Sequence, residues 1–264
     1  MLEENNKPYF INALYKNSEG YIFVGSTNGV YKFDGTRFSK IFFADKNIND
    51  TATAIFEDKQ RQLWVGFKSG NIAKKENNIL AYFNPEEGTP KKAITCFAQD
   101  KNGNIWIGTK GEGIYYTYNN RLYLINEDDG LTDLNIHSLT LTQNGDVLAA
   151  TYQGINTCTV NGSKKQVSMV GPKDGLPDYM VTNIIPQTNN TFWIGMQDKG
   201  FCQFDYSKKK ILLPAGTDDW KYGQVNTLLN SGSSLWIATQ DSGLLEYNGA
   251  IKTIKFQDEK NNQY

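Results

Sequence analysis

Short apolar runs, broken by glycine- and asparagine-rich turns, follow one another along the whole chain, and none carries the 3.6-residue period of an amphipathic helix. The clearest stretch is Gln99 to Tyr116. There Ile105-Trp106-Ile107 lies between the turn Asn102-Gly103 and a reversal bracketed by Gly111 and Gly113. Asn-Gly supplies the positive-φ turn that joins antiparallel strands, so the stretch predicts a hairpin. The pattern recurs. The apolar residues ending each such strand are Val24, Val65, Ile107, Ala149, Ile194 and Ile237, spaced by 41, 42, 42, 45 and 43 residues. The next residue is always small: Gly25, Gly66, Gly108, Ala150, Gly195 and Ala238. A tryptophan precedes the anchor as Trp64, Trp106, Trp193 and Trp236, with Phe23 and Leu148 in its place in the first and fourth units.

A fixed period in the low forties built of short strands is the pattern of propeller blades. The reading is all-β: a six-bladed β-propeller of four-stranded antiparallel blades, forming a single domain over 1–264. The blades are expected at about 8–43, 53–83, 94–125, 136–170, 181–213 and 225–256. Trp64, Trp106, Trp193 and Trp236 are expected in the blade core. The small residue two positions on points to the same face and is expected to leave room for the ring. The chain starts on an inner strand and ends on an outer one, so closure of the ring would rest on packing of the first blade against the sixth.

Composition narrows the function. The 264 residues are 13% aromatic and 21% charged, with 24 glycines and a net charge of −1. Such a balance gives no electrostatic footprint for nucleic acid. No apolar run reaches the length of a membrane-spanning helix, so no direct membrane insertion is expected, and the first residues do not read as a signal peptide. Three cysteines argue against a disulfide framework. Cys96 falls on an inner strand and Cys158 and Cys202 on third strands, as free thiols packed like small hydrophobes.

The run Asp-x-x-Gly-x-apolar-Trp-apolar-Gly-Thr, seen at 100–109, resembles the two-component regulator propeller repeat. So does the connector Asp129-Gly-Leu-Thr-Asp133, echoed at Asp174-Gly-Leu-Pro-Asp178. The resemblance implies an extracytoplasmic sensor region of a bacterial hybrid histidine kinase or a related signalling protein, some of which sense oligosaccharides. It places the chain in the periplasm or outside the cell. Full sensor regions of that family carry more repeats than the six read here. The fourth unit lacks the Trp, and the first two lack the Asp-Gly-Leu connector.

No catalytic motif stands out, and the chain is read as a non-enzyme. Phosphate-binding glycine loops, a Gly-x-Ser-x-Gly elbow and His-Glu-x-x-His are all absent. His137 is the sole histidine, which excludes His-based metal clusters. Read functionally it is a rim base, as in propeller lyases; the plainer reading is a hydrogen-bonded rim residue. Asp100-Lys-Asn-Gly-Asn104 lacks the sixth-position glycine and the later bidentate glutamate of a calcium loop, places held by Ile105 and Gly111, and reads as a hairpin turn. No metal or cofactor is expected.

The more informative set is topological. Connectors between blades and the turns between second and third strands share one face of a propeller. Trp220, Tyr222, Tyr179, His137 and Asn135 lie in those connectors. Tyr152, Gln197, Asp198, Gln240, Asp241 and Lys110 lie in those turns, as does Lys199. Trp220 is the one tryptophan outside the repeat position, in the polar loop 216–223. Aromatic platforms beside amides and carboxylates suit an oligosaccharide or a small polar ligand, because the sugar face stacks while hydroxyls find donors and acceptors. The same composition suits a protein partner, and plain packing is the third reading. The expected function is a ligand-binding sensor module. The alternative is a protein-interaction scaffold in the envelope or in secretion, and a propeller lyase is the third.

Overall fold

The computed structural model describes residues 3–4, 7–8, 10–44, 50–77, 79–83, 88–119 and 121–255. The turn residue Asn120 and the expected strand end Phe256 lie outside them. The strands form up-and-down antiparallel sets of four where the repeat places them. The first set is Ile11–Lys16, Ile22–Ser26, Gly29–Phe33 and Phe38–Phe43, and the second is Ala52–Glu57, Leu63–Phe67, Ile72–Glu76 and Ile79–Tyr82. The third is Ile94–Gln99, Ile105–Thr109, Ile114–Tyr118 and Arg121–Ile125. The fourth is Ser138–Leu141, Val147–Thr151, Gly154–Asn161 and Lys164–Val170. Val181–Pro186, Thr191–Met196, Phe201–Asp205 and Lys210–Leu212 form the fifth. Val225–Ser231, Ser234–Thr239, Leu244–Tyr247 and Ile251–Thr253 form the sixth.

One feature departs from separate blades. The outer strands of the first two sets pair in parallel, Ile79 with Phe42 and Leu80 with Phe43, making one eight-stranded sheet. Two edge strands with open ladders satisfy each other there, and Phe43 packs its ring on Tyr82 at 5.4 Å. The short ribbon Glu3–Glu4 with Lys7–Pro8 carries no apolar alternation and was not expected from the pattern.

The chain divides into two compact units. One comprises Met1–Asp129, Leu134–Leu139 and Asn161–Lys165; the other comprises Gly130–Asp133, Thr140–Val160 and Gln166–Tyr264. Within the first, Phe23, Val65, Phe67 and Leu80 form one buried cluster, and Trp64, Ile94, Ile107 and Tyr115 another. Within the second, Leu148, Ile155, Ile194 and Phe204 form one cluster, and Trp193, Phe201, Val225 and Ile237 another.

The small residue after each anchor has a different job from the one expected. A Cβ on Gly66 would lie 2.4 Å from Cγ2 of Ile94, and one on Gly195 would lie 2.7 Å from Cγ1 of Val225. On Gly108 it would lie 2.5 Å from the Cys96 sulfur and 2.8 Å from Cγ2 of Ile136. Ile94, Ile136 and Val225 each belong to the next repeat. The nearest atoms belong to the neighbouring repeat at Gly66 and Gly195, and to that repeat and to Cys96 and Thr95 at Gly108; none of these nearest atoms is from a tryptophan ring.

First strands carry a bulge at their second position, at Thr53, Thr95, Thr182 and their counterparts Asn12 and Asn226. The freed hydroxyls reach the neighbouring repeat: Thr53 donates to the Ile94 carbonyl at 2.7 Å and Thr182 to the Val225 carbonyl at 2.6 Å. By spacing, His137 stands at the corresponding step of the fourth repeat.

Candidate functional site

Each sheet presents its incoming connector and its second turn at one end, as expected, because backbone hydrogen bonds stitch the two together. Lys68 donates to Thr51, Lys110 to Ala93, Gln197 to Met180 and Gln240 to Gln224, each at 2.9 Å. The Asp-Gly-Leu connectors strengthen the stitch. Leu131 and Leu176 are buried as plugs. Asp133 accepts the Tyr152 N–H at 3.1 Å, and Asp178 accepts the Asp198 N–H at 2.9 Å.

In the first unit, Lys110 and Asn135 form an isolated antiparallel bridge, which brings these two candidates together, and His137 follows half-buried. In the second unit the Gly154 N–H donates to the Tyr179 carbonyl at 2.8 Å. The loops of Tyr152 and Tyr179 are thereby joined, and both rings are exposed.

Trp220 is the anchor of the remaining candidates. It lies half-buried over Gly200, where a Cβ would come within 2.4 Å of the indole ring. Gly200 holds φ +67°, so only glycine both permits the turn and admits the ring. Trp220 donates its indole N–H to the Gly223 carbonyl at 2.7 Å. Its edges meet Phe201 at 5.9 Å and Tyr222 at 5.1 Å between centroids, both T-shaped. With the N–H occupied and the ring pinned on three sides, what Trp220 offers a ligand is its π surface.

That surface lines a cleft of about 400 Å³ with Pro177, Asp198, Lys199, Leu213, Thr217, Asp218 and Asp219. Thr217 is buried and donates its hydroxyl to the Pro214 carbonyl at 2.8 Å, fixing the loop. Of the expected site residues, the cleft gathers Trp220 and Asp198, and Tyr222 backs it. Gln197 is the chain neighbour of Asp198 and joins its connector through the bond to Met180. Asp241 lies against Gly223, where a Cβ would meet its carboxylate at 2.3 Å, and Gln240 precedes it. Asp218 and Asp219 were not among the expected residues; the signal for them was their direct adjacency to Trp220.

Among the described residues no group of three or more His, Cys, Asp or Glu is placed to hold a metal, and no helix is long and apolar enough to cross a membrane. Cys158 and Cys202 are buried, and burial pushes the Cys202 thiol up to about 12, away from nucleophilic chemistry.

Residues 88–111 match the family model described as Two component regulator propeller, so the resemblance read from the repeat is borne out at the third unit. No curated protein matches the chain. Among solved structures, the extracellular domain of a protein described as a hybrid two component system of B. thetaiotaomicron overlays with a TM-score of 0.71 at 17% identity. The match covers 96% of this chain and 38% of that one. PorZ, a surface component of the type-IX secretion system of Porphyromonas gingivalis, gives 0.68 at 16% identity over 90% of this chain and 38% of its own. Virginiamycin B lyase from Staphylococcus aureus gives 0.72 at 13% identity over 98% and 88%. The chain thus spans well under half the length of the first two. At these identities the likeness concerns the fold, which is of the β-propeller class.

Proposed function

We propose that the chain is a non-catalytic ligand-binding sensor module of a bacterial two-component-type signalling system, working in the periplasm or outside the cell. In this reading the strand sets are six blades of one propeller domain over 1–264, the joined first two sets counting as two blades. The Trp220 cleft is its ligand site. The observation that carries the reading is a pinned aromatic wall facing unengaged carboxylates, an ammonium and a fixed loop across about 400 Å³. That volume falls within the range of small-molecule sites, and the mixture of π surface and polar groups suits an oligosaccharide or a similarly small polar ligand.

Thermal unfolding against a panel of neutral and charged oligosaccharides tests it. A ligand at a hundredfold its dissociation constant adds about 2.7 kcal/mol and raises the midpoint. The rise should vanish in Trp220→Ala and shrink in Asp198→Asn, which leaves the packing of the ring intact. A flat panel on a cooperatively melting protein would remove the reading.

A protein-interaction scaffold is the second reading, favoured by Ile11 and Leu14 on the first strand and by Phe10 just before it, which are 56%, 68% and 71% exposed. Clustered exposed apolar side chains mark interaction surfaces. It predicts a partner whose capture is lost in Leu14→Asp while ligand-induced shifts are unchanged.

A further inference from the structure

Contacts between successive repeats follow one rule. The residue that opens the first strand of a repeat packs on the small residue after the anchor of the repeat before it: Ala52 on Gly25, Ile94 on Gly66, Ile136 on Gly108 and Val225 on Gly195. Val181 and Ala150 share a core cluster in the same relation. All five knobs are fully buried. Ile11 holds this position in the first repeat and is exposed. Leu14 and Ile22, on the same face by strand alternation and register, are exposed too, whereas their counterparts in the other five repeats are buried.

The sixth repeat is open on the opposite face. The second strands of the second, third and fourth repeats are buried along their whole length. In the sixth, Leu235, Ile237 and Thr239 are buried, but Trp236 and the small residue Ala238 are only half-buried. Leu229, paired across from Trp236, is 63% exposed. Asn226 is exposed as well, at the bulge position from which Thr53 and Thr182 reach the next repeat.

We infer that these two faces meet between two copies of the chain, the first repeat of one copy docking on the sixth repeat of another with Ile11 over Ala238. Exposed contiguous apolar faces mark interaction surfaces, and here the repeat itself states what fits. The face of Ile11 is shaped for a small residue flanked by apolar side chains, and Ala238 beside Trp236 and Leu229 supplies one. The contact already recurs between successive repeats within the chain, so the same chemistry continues across copies. A second copy brings both halves and needs no further component. A net charge of −1 sets little repulsion between copies. Such a contact is heterologous, head to tail, and leaves each copy one face for the next. The exposed strand behind the scaffold reading thereby gains an occupant, while the ligand reading of the Trp220 cleft does not depend on it.

Cysteine pairing tests the contact on the full chain. A Cβ on Gly66 would lie 2.5 Å from Cβ of Ile94, so cysteines at the matching positions 11 and 238 come within disulfide reach, about 3.5–4.5 Å between Cβ atoms. Ile11→Cys protein mixed with Ala238→Cys protein under mild oxidation should give a pair of twice the chain mass, its 11–238 link read by peptide mapping. Neither variant alone should form that link. Sedimentation velocity of the unmodified chain should show mass rising with concentration. Leu14→Asp, at an exposed site, should abolish the rise without moving the melting temperature, and Ala238→Leu, which fills the hole, should abolish it too. A chain that stays monomeric at every concentration and gives no mixed pair overturns the inference. So does a link that forms only inside the Ile11→Cys, Ala238→Cys double variant, which would seat Ile11 on its own sixth repeat. In either case the oligosaccharide panel still decides the sensor reading by itself.

Discussion

Asp100 and Trp106, six residues apart, are tied by a hydrogen bond from the indole N–H to carboxylate Oδ2 at 3.1 Å. The same carboxylate accepts the backbone N–H groups of Asn102 and Asn104, at 2.8 and 3.0 Å, and the Asn104 side-chain amide at 2.8 Å. One buried side chain thus closes the turn and orients the ring. The second repeat repeats the device: Trp64 donates to Asp58 at 2.8 Å, and Asp58 also takes the N–H groups of Gln60 and Gln62. The motif Asp-x-x-Gly-x-apolar-Trp therefore has a mechanical meaning.

Asp100→Ala leaves four donors without their acceptor in a buried turn. Charged-group hydrogen bonds contribute about 1.5–3 kcal/mol each, non-additively, so the loss should reach about 3 kcal/mol or more. Asp100→Asn keeps an acceptor oxygen and should lose less. Trp106→Ala, at a site 1% exposed, should cost about 3–5 kcal/mol. Urea unfolding measures all three, and an unchanged midpoint for Trp106→Ala would remove the ring from the blade core.

The fifth repeat shows what the device is worth when it is missing. Its aspartate position holds Gln187, whose amide oxygen instead accepts from Thr191 and Gln203. The Trp193 indole N–H is buried and has no hydrogen-bond partner. An orphaned buried donor costs about 1–3 kcal/mol. Gln187→Asp should therefore stabilise the protein by about 1 kcal/mol in chemical denaturation. The gain should disappear in a Trp193→Phe background, where no donor awaits it; a gain that persists there would come from elsewhere.

Much of this was legible in the sequence, and the failures are instructive. Period, turn chemistry and alternation place the strands because each repeat is locally consistent: Asn-Gly or Asp-Gly turns and a short apolar run agree on one hairpin. The edge pairing of Phe42 and Phe43 with Ile79 and Leu80 was not legible, since parallel registry between sequence-distant strands leaves no periodic mark. The small residue after each anchor was found, but its reason was not. Alternation identifies a face without saying what packs there, and Gly66 faces Ile94 of the next repeat instead of its own tryptophan. At the cleft, Trp220 stood out for breaking the repeat. Asp218 and Asp219 did not, because an exposed acidic pair reads like any solvated loop until the fold brings Asp198 and Lys199 alongside.

Two other aspartates make stability pH-dependent. Backbone N–H groups of Arg37 and Thr36, with the Thr36 hydroxyl, hold the Asp34 carboxyl well below the usual carboxylate range. Lys208 lowers the Asp205 carboxyl from its ordinary value, through a side-chain contact first and its backbone N–H second. A carboxyl with a lower pKa in the folded state than in the unfolded one contributes stability that is complete above the unfolded value, about 3.9, and is lost as pH falls through the folded value. Stability should therefore decline below about pH 4 with these groups among the causes. Asp34→Asn and Asp205→Asn should each flatten that decline in urea titrations at stepped pH; an unchanged slope in both variants would remove these two groups from its causes.

Asp178 links the repeat to the cleft. Its Oδ1 accepts the Met180 N–H at 3.1 Å and its Oδ2 the Asp198 N–H at 2.9 Å, so one connector side chain positions the loop that carries Asp198 and Lys199. Asp133 makes the corresponding bond to Tyr152 in the preceding connector, away from the cleft lining. Removing either carboxylate as Ala should cost a similar amount, about 1–2 kcal/mol, because each leaves a turn donor to solvent. The two should differ at the ring. Loss of Asp178 frees Asp198 and Lys199 beside Trp220 and should change the access of that indole to a soluble quencher, whereas loss of Asp133 should not. A Trp220→Phe background isolates the Trp220 share of the emission. Equal quenching in both variants would mean that the connector braces the sheet end alone, and that the cleft owes its shape to the Gly216–Gly223 loop.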